Sequence, residues 1–442
     1  MTAAAEQAAA TAAPAQAAAP APSALASERA AGEWRKSWHL VLLTAIALTC
    51  SPATLPVYTI GVLTGPLHDA FGWGRGTIQA AILFSTGLGM VGGPLAGWMI
   101  ERLGLRRSVL LGVTGLSAAV AACASITGAA WQLYLFYGLM ALLGAGTGAV
   151  SWTYLIVDRF EKTRGLALGI ALSGTGIAAM LMPRIAAFGL DQGGWQASYL
   201  ILGAYGLFFI LPLCALLLPR RVLHAPGGGD RAAALPASGV TLRAALRRRH
   251  FWLLGAATFC IYVAVGGLIP TIVPALTDAG LSTDEAVSIM GFFGLAIIVG
   301  RILIGSLVDH IWAPAVAACV LVPAAAACFA FQLPLSFGAY ALAAMLIGMA
   351  TGMELDMLGF LATRYFGLAH FAPIYGRLYM FVSIGAGSAP LAFGSAYDWT
   401  GSYALPISLA AGLLLAGAAG LLALGRYPDQ GFPDREDAAQ PV

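Results

Sequence analysis

Residues 291–310 read GFFGLAIIVGRILIGSLVDH. The stretch is apolar enough to lie in a lipid bilayer, yet it carries Arg301 well inside. A charged side chain at such a depth costs several kcal/mol unless it faces a partner or a water-filled cavity, so an intramembrane arginine indicates a functional site. We therefore take Arg301 as the first candidate for a binding residue.

The whole chain shares this apolar character. It is 59% hydrophobic and 10% charged over 442 residues, whereas an average soluble protein carries about 25% charged residues. Such a chain cannot hide its apolar surface in a water-soluble core, and we predict an integral membrane protein in contact with the lipid bilayer. The basic residues are dispersed through short loops, so no nucleic-acid partner is expected. The six cysteines lie in apolar segments without paired spacing, which predicts core residues rather than disulfides or metal ligands.

Twelve apolar runs of about 20 to 27 residues follow one another, each long enough to cross about 30 Å of hydrocarbon. They lie near residues 38–62, 76–101, 106–128, 131–157, 164–189, 195–219, 250–276, 284–308, 312–331, 336–363, 373–396 and 402–425. The predicted fold class is therefore an all-α integral membrane protein with twelve transmembrane helices. No cofactor and no metal are expected.

One long polar connection follows the sixth run and divides the chain. The predicted organisation is a disordered tail at 1–37, a six-helix bundle at 38–219, a linker at 220–249, a second six-helix bundle at 250–425 and a tail at 426–442. The Ala/Pro-rich composition of the first 37 residues favours disorder.

The distribution of lysine and arginine predicts the orientation in the membrane. With these spans, nearly all the basic loop residues fall on one side, and only Arg75 and Arg184 fall on the other. Since cytoplasmic loops carry the excess of basic residues, both termini and the linker are predicted to be cytoplasmic.

Residues 97–107, GWMIERLGLRR, resemble the loop between the second and third helices of the major facilitator superfamily. The resemblance rests on Gly97, Glu101, Arg102, Gly104, Arg106 and Arg107, with Glu101 where the family usually has Asp. A second copy keeps Gly305 and Asp309 but lacks the basic tail. The resemblance implies two pseudo-symmetric bundles, and these eight residues are expected to gate the cytoplasmic side through helix caps and ion pairs. The alternative is that the arginines only set the topology.

Four further stretches resemble the branch of monocarboxylate transporters and oxalate/formate antiporters. They are PVYTIGVLTGPLHDAFGW (56–73), EKTRGLALGIALSGTG (161–176), GMELDMLGFLATRYFG (352–367) and YDWTGSY (397–403). The resemblance implies an alternating-access carrier that moves small carboxylates, with a proton or by exchange. We expect a monomer in a bacterial inner membrane.

Alignment of the two halves predicts where the charges act. With Gly97 placed on Gly305, Arg301 falls opposite Gly93. With Thr147 and Gly148 placed on Thr351 and Gly352, Glu354 falls opposite Val150 and Asp356 opposite Trp152. The intramembrane charges are thus confined to the second half, an asymmetry that a carboxylate site needs and that duplication alone does not.

Arg301 suits a carboxylate, because its planar guanidinium makes two parallel hydrogen bonds. Glu354 and Asp356 are two residues apart, about 200° around a helix, so both cannot face one cavity. We expect Glu354 to carry the coupled proton and Asp356 to bind a neighbouring helix, with the reverse assignment open. A buried ion pair that merely joins two helices is the structural alternative.

Other polar side chains are candidates for the same site. Tyr262, Tyr379, Ser383, Tyr154 and Tyr58 are the predicted substrate-binding residues, with Tyr58 placed nearer the outer face, where it would act as a gate. The oxalate-type relatives have a lysine on helix eleven, whereas residues 379–383 read YMFVS, so one cation favours a monoanion. The monocarboxylate relatives often carry an acid where this chain has Ile297, which directs the search for a proton carrier to helix ten.

Five other interpretations compete with this one. Residues 87–92, GLGMVG, match a dinucleotide-binding pattern, but they lie inside an apolar run without a preceding strand and indicate close helix packing. No catalytic motif supports an enzyme. The remaining alternatives are an exporter of drug-like or amphipathic compounds, an exchanger of dicarboxylates and monocarboxylates, and a membrane sensor that transports nothing.

Overall fold

The computed structural model describes residues 22–160, 163–220, 239–308, 310–367 and 370–427, and these residues are helical almost throughout, with no strand among them. The helices before residue 221 are α1 (Pro22–Ala47), α2 (Leu55–Phe71), α3 (Arg75–Gln79), α4 (Gly89–Leu103), α5 (Leu105–Ala122), α6 (Ala130–Leu143), α7 (Ala149–Arg159), α8 (Arg164–Leu172), α9 (Gly174–Tyr205) and α10 (Leu211–Leu217). Those after residue 238 are α11 (Leu242–Arg247), α12 (Arg249–Asp278), α13 (Thr283–Leu307), α14 (Ala313–Ala330), α15 (Phe337–Phe366), α16 (Phe371–Thr400) and α17 (Ala404–Leu422).

Ten helical stretches of the described chain are long and apolar enough to cross a membrane. The longest, Gly165–Leu217, has 53 residues. Its backbone is non-helical at Gly193 and Gly194, so it consists of two helices joined at a sharp turn. A shorter apolar helix, Ala130–Leu143, adds to this set. The prediction of a multi-pass all-α membrane protein is confirmed, while the count of twelve crossings stays a prediction.

The first membrane segment differs from its predicted bounds of 38–62 at both ends. Helix α1 begins at Pro22, inside the predicted disordered tail, because alanine, leucine and glutamate there favour a helix that continues into the apolar run. Helix α2 continues to Phe71 and ends at Gly72, whose left-handed φ of 68° closes it. The segment therefore extends nine residues beyond its predicted end.

The predicted linker 220–249 is described only in part. Helix α11 lies within it, and the hydroxyl of Thr241 caps that helix by accepting a hydrogen bond from the Ala244 amide at 3.3 Å. Residues 221–238 of the linker, the first 21 residues and the tail after residue 427 lie outside the described residues.

Glycines bring α13 and α15 into backbone contact. A Cβ atom on Gly352 would lie 2.5 Å from the Ile297 carbonyl oxygen, and one on Gly348 would overlap the Phe293 carbonyl oxygen. On α13, a Cβ atom added to Gly300 would lie 3.0 Å from the Met349 backbone of α15. Since small residues are what let membrane helices approach this closely, α13 and α15 hold residues 301 and 354–356 beside one another.

The two halves of the chain also touch through glycines. A Cβ atom on Gly61 of α2 would lie 2.7 Å from the Pro270 carbonyl oxygen of α12, and one on Gly176 of α9 would lie 2.6 Å from the Gly294 carbonyl oxygen of α13. Further along, a Cβ atom on Gly394 of α16 would lie 2.7 Å from Gly76 Cα. This last contact is at the end of the molecule that holds Arg75, which we call the Arg75 end.

The α13–α15 contact predicts a packing defect when Gly352 is enlarged. Gly352→Leu should lower the stability of the purified protein by about 1–3 kcal/mol, because the added side chain overlaps the α13 backbone. The matched control is Gly412→Leu on α17, where an added Cβ meets nothing within 4 Å. Thermal unfolding in detergent measures both variants, and an equal loss of stability in the two would contradict the packing argument.

Candidate substrate site

Arg301 lies on α13 with its side chain buried, 5% exposed. Its Nη1 is 3.5 Å from Asp356 Oδ1, an ion pair without a hydrogen bond. Within the described part of the chain, the Nε and Nη1 atoms have no hydrogen-bond partner. A guanidinium has five N–H donors in a fixed fork, and buried donors without partners are costly. The arrangement therefore leaves Arg301 able to bind a carboxylate.

Glu354 and Asp356 lie on α15 in different surroundings. The side chain of Asp356 is 38% exposed. The Oε2 atom of Glu354 is buried and has no hydrogen-bond partner among the described residues. Even so, Arg301 acts electrostatically on both carboxyl groups. Glu354 and Asp356 leave α15 in different directions. Both nevertheless lie within electrostatic range of the long side chain of Arg301 on α13.

A small cavity adjoins Glu354, with a volume of about 10 Å³. It lies between α12, α15 and α17, and its polar lining comes from Thr258, Tyr262 and Glu354, among apolar residues such as Met357 and Leu421. This volume is close to what a single water molecule requires. Glu354 thus lines a small, mainly apolar cavity that Asp356 does not line.

Tyrosines from both halves surround these charges. Tyr262 of α12 is 7% exposed and interacts electrostatically with Glu354, Arg301 and Tyr379. Tyr379 of α16 is 41% exposed. It interacts electrostatically with Glu354. The structure thus brings together Tyr262, Tyr379 and the charged residues, as the sequence analysis expected.

Tyr58 lies deeper in the molecule than the sequence analysis expected. It was placed near the outer face because the first helix was expected to end at residue 62. Since α2 continues to Phe71, Tyr58 lies deep in the segment, is 7% exposed, and interacts electrostatically with both Glu354 and Arg301. The first half of the chain therefore contributes a hydroxyl to the charged cluster.

Sequence reasoning missed Tyr375. On α16 the rings of Phe371, Tyr375 and Tyr379 follow one another with centroid separations of 5.1 and 6.2 Å, and Tyr375 interacts electrostatically with Asp356. The signal was in the sequence, because aromatic residues four apart lie on one face of a helix. The row forms an aromatic wall that leads to the two acids.

Two other predicted residues are less closely tied to the cluster. Ser383 is buried on α16, one turn beyond Tyr379. Tyr154 lies on α7 and interacts with Asp158 of the same helix. Both stay predictions as substrate-binding residues.

The first half repeats the geometry without the charges. A Cβ atom on Gly93 would lie 4.0 Å from Val150 Cγ2, so the counterparts of Arg301 and Glu354 also face one another. Trp152, the counterpart of Asp356, is fully buried and donates a hydrogen bond from Nε1 to the Thr147 carbonyl oxygen at 3.0 Å. The pseudo-symmetric contact is thus apolar in one half and charged in the other.

The predicted gating residues lie at the opposite end from Arg75. Arg106 donates a hydrogen bond from Nη2 to the Ala215 carbonyl oxygen at 2.6 Å, and Arg102 lies 5.5 Å over the Trp98 ring, both contacts within the first half. Gly104 has a φ of 81°, which requires glycine at the tight turn from α4 to α5. Glu101 and Arg107 are exposed.

The remaining gating positions are less informative. An added Cβ would meet nothing within 4 Å at Gly97 or at Gly305. Asp309 lies outside the described residues. Gating by the eight residues stays a prediction. The part of the chain that the structure describes holds no group of three or more His, Cys, Asp or Glu side chains able to bind a metal ion.

A multi-pass helical protein with two related halves and a charged site between its helices belongs to the class of membrane carriers. The family model of the Major Facilitator Superfamily matches residues 38–390. The chain therefore belongs to the Major Facilitator Superfamily of transporters, which confirms the predicted fold class and the expectation of a transporter rather than an enzyme.

The individual relatives include monocarboxylate transporters. Monocarboxylate transporter 11 of Mus musculus is 27% identical over 352 residues, which are 74% of this chain and 73% of the relative. The uncharacterized MFS-type transporter YcxA of Bacillus subtilis (strain 168) is 26% identical over 296 residues, 62% of this chain and 66% of the relative. The predicted resemblance to the monocarboxylate branch is confirmed at this modest identity.

A solved structure supports the fold. The crystal structure of a bacterial homolog to the human lysosomal transporter Spinster, in an inward-facing and unoccupied conformation, superposes with a TM-score of 0.60. The alignment covers 87% of this chain and 94% of the other at 21% sequence identity. At that identity the likeness concerns the fold alone.

The position of Tyr58 predicts a functional rather than a structural role for its hydroxyl. Tyr58→Phe should slow transport about tenfold, the effect of losing one polar contact to a charged group, without loss of thermal stability. Tyr137→Phe is the contrast, because it removes a buried hydrogen bond of 3.2 Å to Tyr199. That variant should lose about 1 kcal/mol of stability and keep its substrate affinity. Initial uptake rates and melting temperatures test the pair, and wild-type transport by Tyr58→Phe would contradict the assignment.

Proposed function

We propose that this protein is a secondary active transporter of small organic monoanions, chiefly monocarboxylates, coupled to protons and operating by alternating access. The observation that carries the proposal is the buried Arg301, whose Nε and Nη1 donors have no hydrogen-bond partner among the described residues. A carboxylate bound to two guanidinium N–H groups would satisfy them. The similarity to monocarboxylate transporters supports the same substrate class.

Asp356 must yield to the substrate for this to happen. Its contact with Arg301 is 3.5 Å long and its side chain is 38% exposed. A loose, partly hydrated ion pair contributes little free energy, so a well-oriented carboxylate can replace it at small cost. We assign Asp356 the role of holding the guanidinium in place between substrate molecules.

Glu354 is the proposed proton carrier. When its carboxyl group is ionised, it offsets the charge of Arg301 and repels a second anion. When it is protonated, the full charge of Arg301 is available to the substrate. Each ligand therefore favours the other, as thermodynamic linkage requires, and one proton enters with one monoanion. Tyr262 lies within electrostatic reach of Glu354, and its hydroxyl can donate to the ionised form.

The position of the site between the two halves connects binding to movement. Tyr58 comes from the first half, while Arg301, Tyr262 and Tyr379 come from the second. A ligand that contacts both halves changes the relative free energies of their arrangements. Rocking of two repeats about a site near the midplane is the mode of transport that such folds support.

The basic loops support the orientation in the membrane. We propose that the Arg75 end faces away from the cytoplasm, that both termini are cytoplasmic and that the protein is a monomer in a bacterial inner membrane. In this orientation the loop from Gly97 to Arg107 lies on the cytoplasmic side and serves as the gate there.

The first test of the function is uptake into proteoliposomes. With an imposed inward proton gradient, labelled pyruvate or lactate should accumulate. Arg301→Lys should reduce uptake by at least about tenfold, because an ammonium group keeps the charge but loses the bidentate geometry. If no small monocarboxylate accumulates, or if Arg301→Lys transports as well as the wild type, Arg301 is a structural tie and the proposal fails.

The second test separates the two acids. Glu354→Gln should abolish the acceleration by the proton gradient and retain exchange of substrate across the membrane. Asp356→Asn should keep the dependence on the gradient and change the apparent KM. Both variants remove one negative charge from α15, so each is the control for the other. Loss of gradient dependence in Asp356→Asn alone would assign the proton to Asp356.

A further inference from the structure

The Arg75 side chain joins the two halves of the protein at the Arg75 end. Its Nη1 and Nη2 atoms donate to Oδ2 and Oδ1 of Asp278 at 2.8 and 2.9 Å, a bidentate ion pair. Nη1 also donates to the Tyr403 hydroxyl at 2.8 Å. The guanidinium lies 3.9 Å over the ring of Tyr397. Arg75 belongs to the first half of the chain, and all three partners belong to the second.

The backbone at Arg75 is held as well. Asp398, near the end of α16, accepts hydrogen bonds from the backbone N–H of Arg75 at 2.7 Å and of Gly76 at 2.8 Å. A carboxylate of the second half thereby caps the first turn of α3 in the first half. The two halves are thus joined by hydrogen bonds to both the side chain and the main chain of the same residue.

Glycines make this approach possible. A Cβ atom on Gly74 would lie 2.5 Å from Asp398 Oδ2, and one on Gly76 would lie 2.6 Å from Ser395 Oγ. Larger residues at either position would hold the halves apart. The stretch from Gly74 to Gly76 is therefore shaped for contact with the end of α16.

The strength of the cluster comes from its geometry. A single exposed ion pair contributes little free energy, but bidentate Arg–carboxylate geometry and a network of charges raise the contribution. The Arg75 side chain is 18% exposed and that of Asp278 is 36% exposed, so water screens the pair only in part. Stacking on Tyr397 adds an attraction that an exposed arginine would lack.

We propose that Arg75, Asp278, Tyr397, Asp398 and Tyr403 form a latch that closes the Arg75 end of the transporter. The latch stabilises the conformation in which the two halves touch there, and every one of its contacts breaks when that end opens. Arg75 is thus a gating residue of the transport cycle that lies outside the Arg301 site. The inference goes beyond the proposed substrate and coupling, since it requires only that the protein alternates between two conformations.

The latch predicts a shift of the conformational equilibrium when it is weakened. Asp278→Asn keeps the size of the side chain but removes its charge and one of the two oxygens that accept from Arg75, and Arg75→Gln removes the charge and the stacking. Both substitutions should raise about tenfold the fraction of molecules that are open at the Arg75 end. The reason is that the latch contacts stabilise only the closed conformation, so losing them shifts the equilibrium between the two conformations. Asp284→Asn is the matched control, an exposed acid at the start of α13 near the same end of the molecule.

A buried cysteine reports the opening without any substrate. Ser85→Cys serves as the probe, because Ser85 is 1% exposed on the π-helical segment Leu83–Gly87 that packs against α16. Replacing the exposed Cys319 and the half-buried Cys260 by serine removes competing thiols. A membrane-impermeant maleimide is applied to the full-length protein in vesicles, from the side of the membrane at which the Arg75 end lies. Labelling should be about tenfold faster in Asp278→Asn and Arg75→Gln than in Asp284→Asn.

Two further arms make the result decisive. The charge-exchanged pair Arg75→Asp with Asp278→Arg should return the labelling rate toward that of the parent. Tyr403→Phe, which deletes a single hydroxyl, should give a smaller increase in the same direction if Arg75→Gln does not fold. Equal labelling in all variants, or an equal rise in Asp284→Asn, overturns the latch. Because no substrate is present, this result is independent of whether monocarboxylates are transported.

Discussion

The position of one charge inside an apolar helix constrains much of this structure. Arg301 carries a positive charge, and the residues around it in the sequence of α13 are apolar. The free energy of placing it there is tolerable only if acids, hydroxyls or a bound anion surround it. The second half of the chain supplies two acids on α15 and tyrosines on α12 and α16. Their positions follow from the need to accommodate that charge.

Glycine packing places the two acids of α15 beside Arg301. Gly348 and Gly352 bring α15 against the α13 backbone, so Asp356 and Glu354 are held at a fixed distance from Arg301. The equivalent helices of the first half approach through Gly93 and Val150, where no charge is present. The equivalent helices pack closely in both halves, but only in the second half do they carry charged side chains at the contact. An asymmetric site on a symmetric scaffold results.

Contacts between the halves occur at two levels and differ in kind. At the level of Arg301 they come from hydroxyls such as that of Tyr58, which act on charges of the other half. At the Arg75 end they come from an arginine and a backbone turn held by two acids. At the proposed substrate site a bound anion would act on the first set directly, whereas the second would respond only when the halves move. This separation fits the proposed alternating-access cycle, in which binding and closure act on one rigid-body motion.

The sequence by itself determined the class of the protein and most of the candidate site. Composition and apolar run length require a multi-pass helical membrane protein, and an arginine within an apolar run indicates a candidate site whatever the arrangement of the helices. The alignment of the two halves was enough to propose Glu354 and Asp356, and the positions of polar side chains within the apolar runs were enough to propose Tyr262 and Tyr379. Only the tertiary structure decided that α2 continues far enough to bring Tyr58 to Arg301, that Tyr375 faces Asp356, and that Arg75 meets Asp278 and Asp398. Tyr375 and Asp356 lie on successive helices, whereas the contacts of Tyr58 and Arg75 join the two halves of the chain, and Arg75 and Asp278 are 203 positions apart. A helical pattern specifies which face of a helix is polar, but the partner of that face depends on how the helices pack.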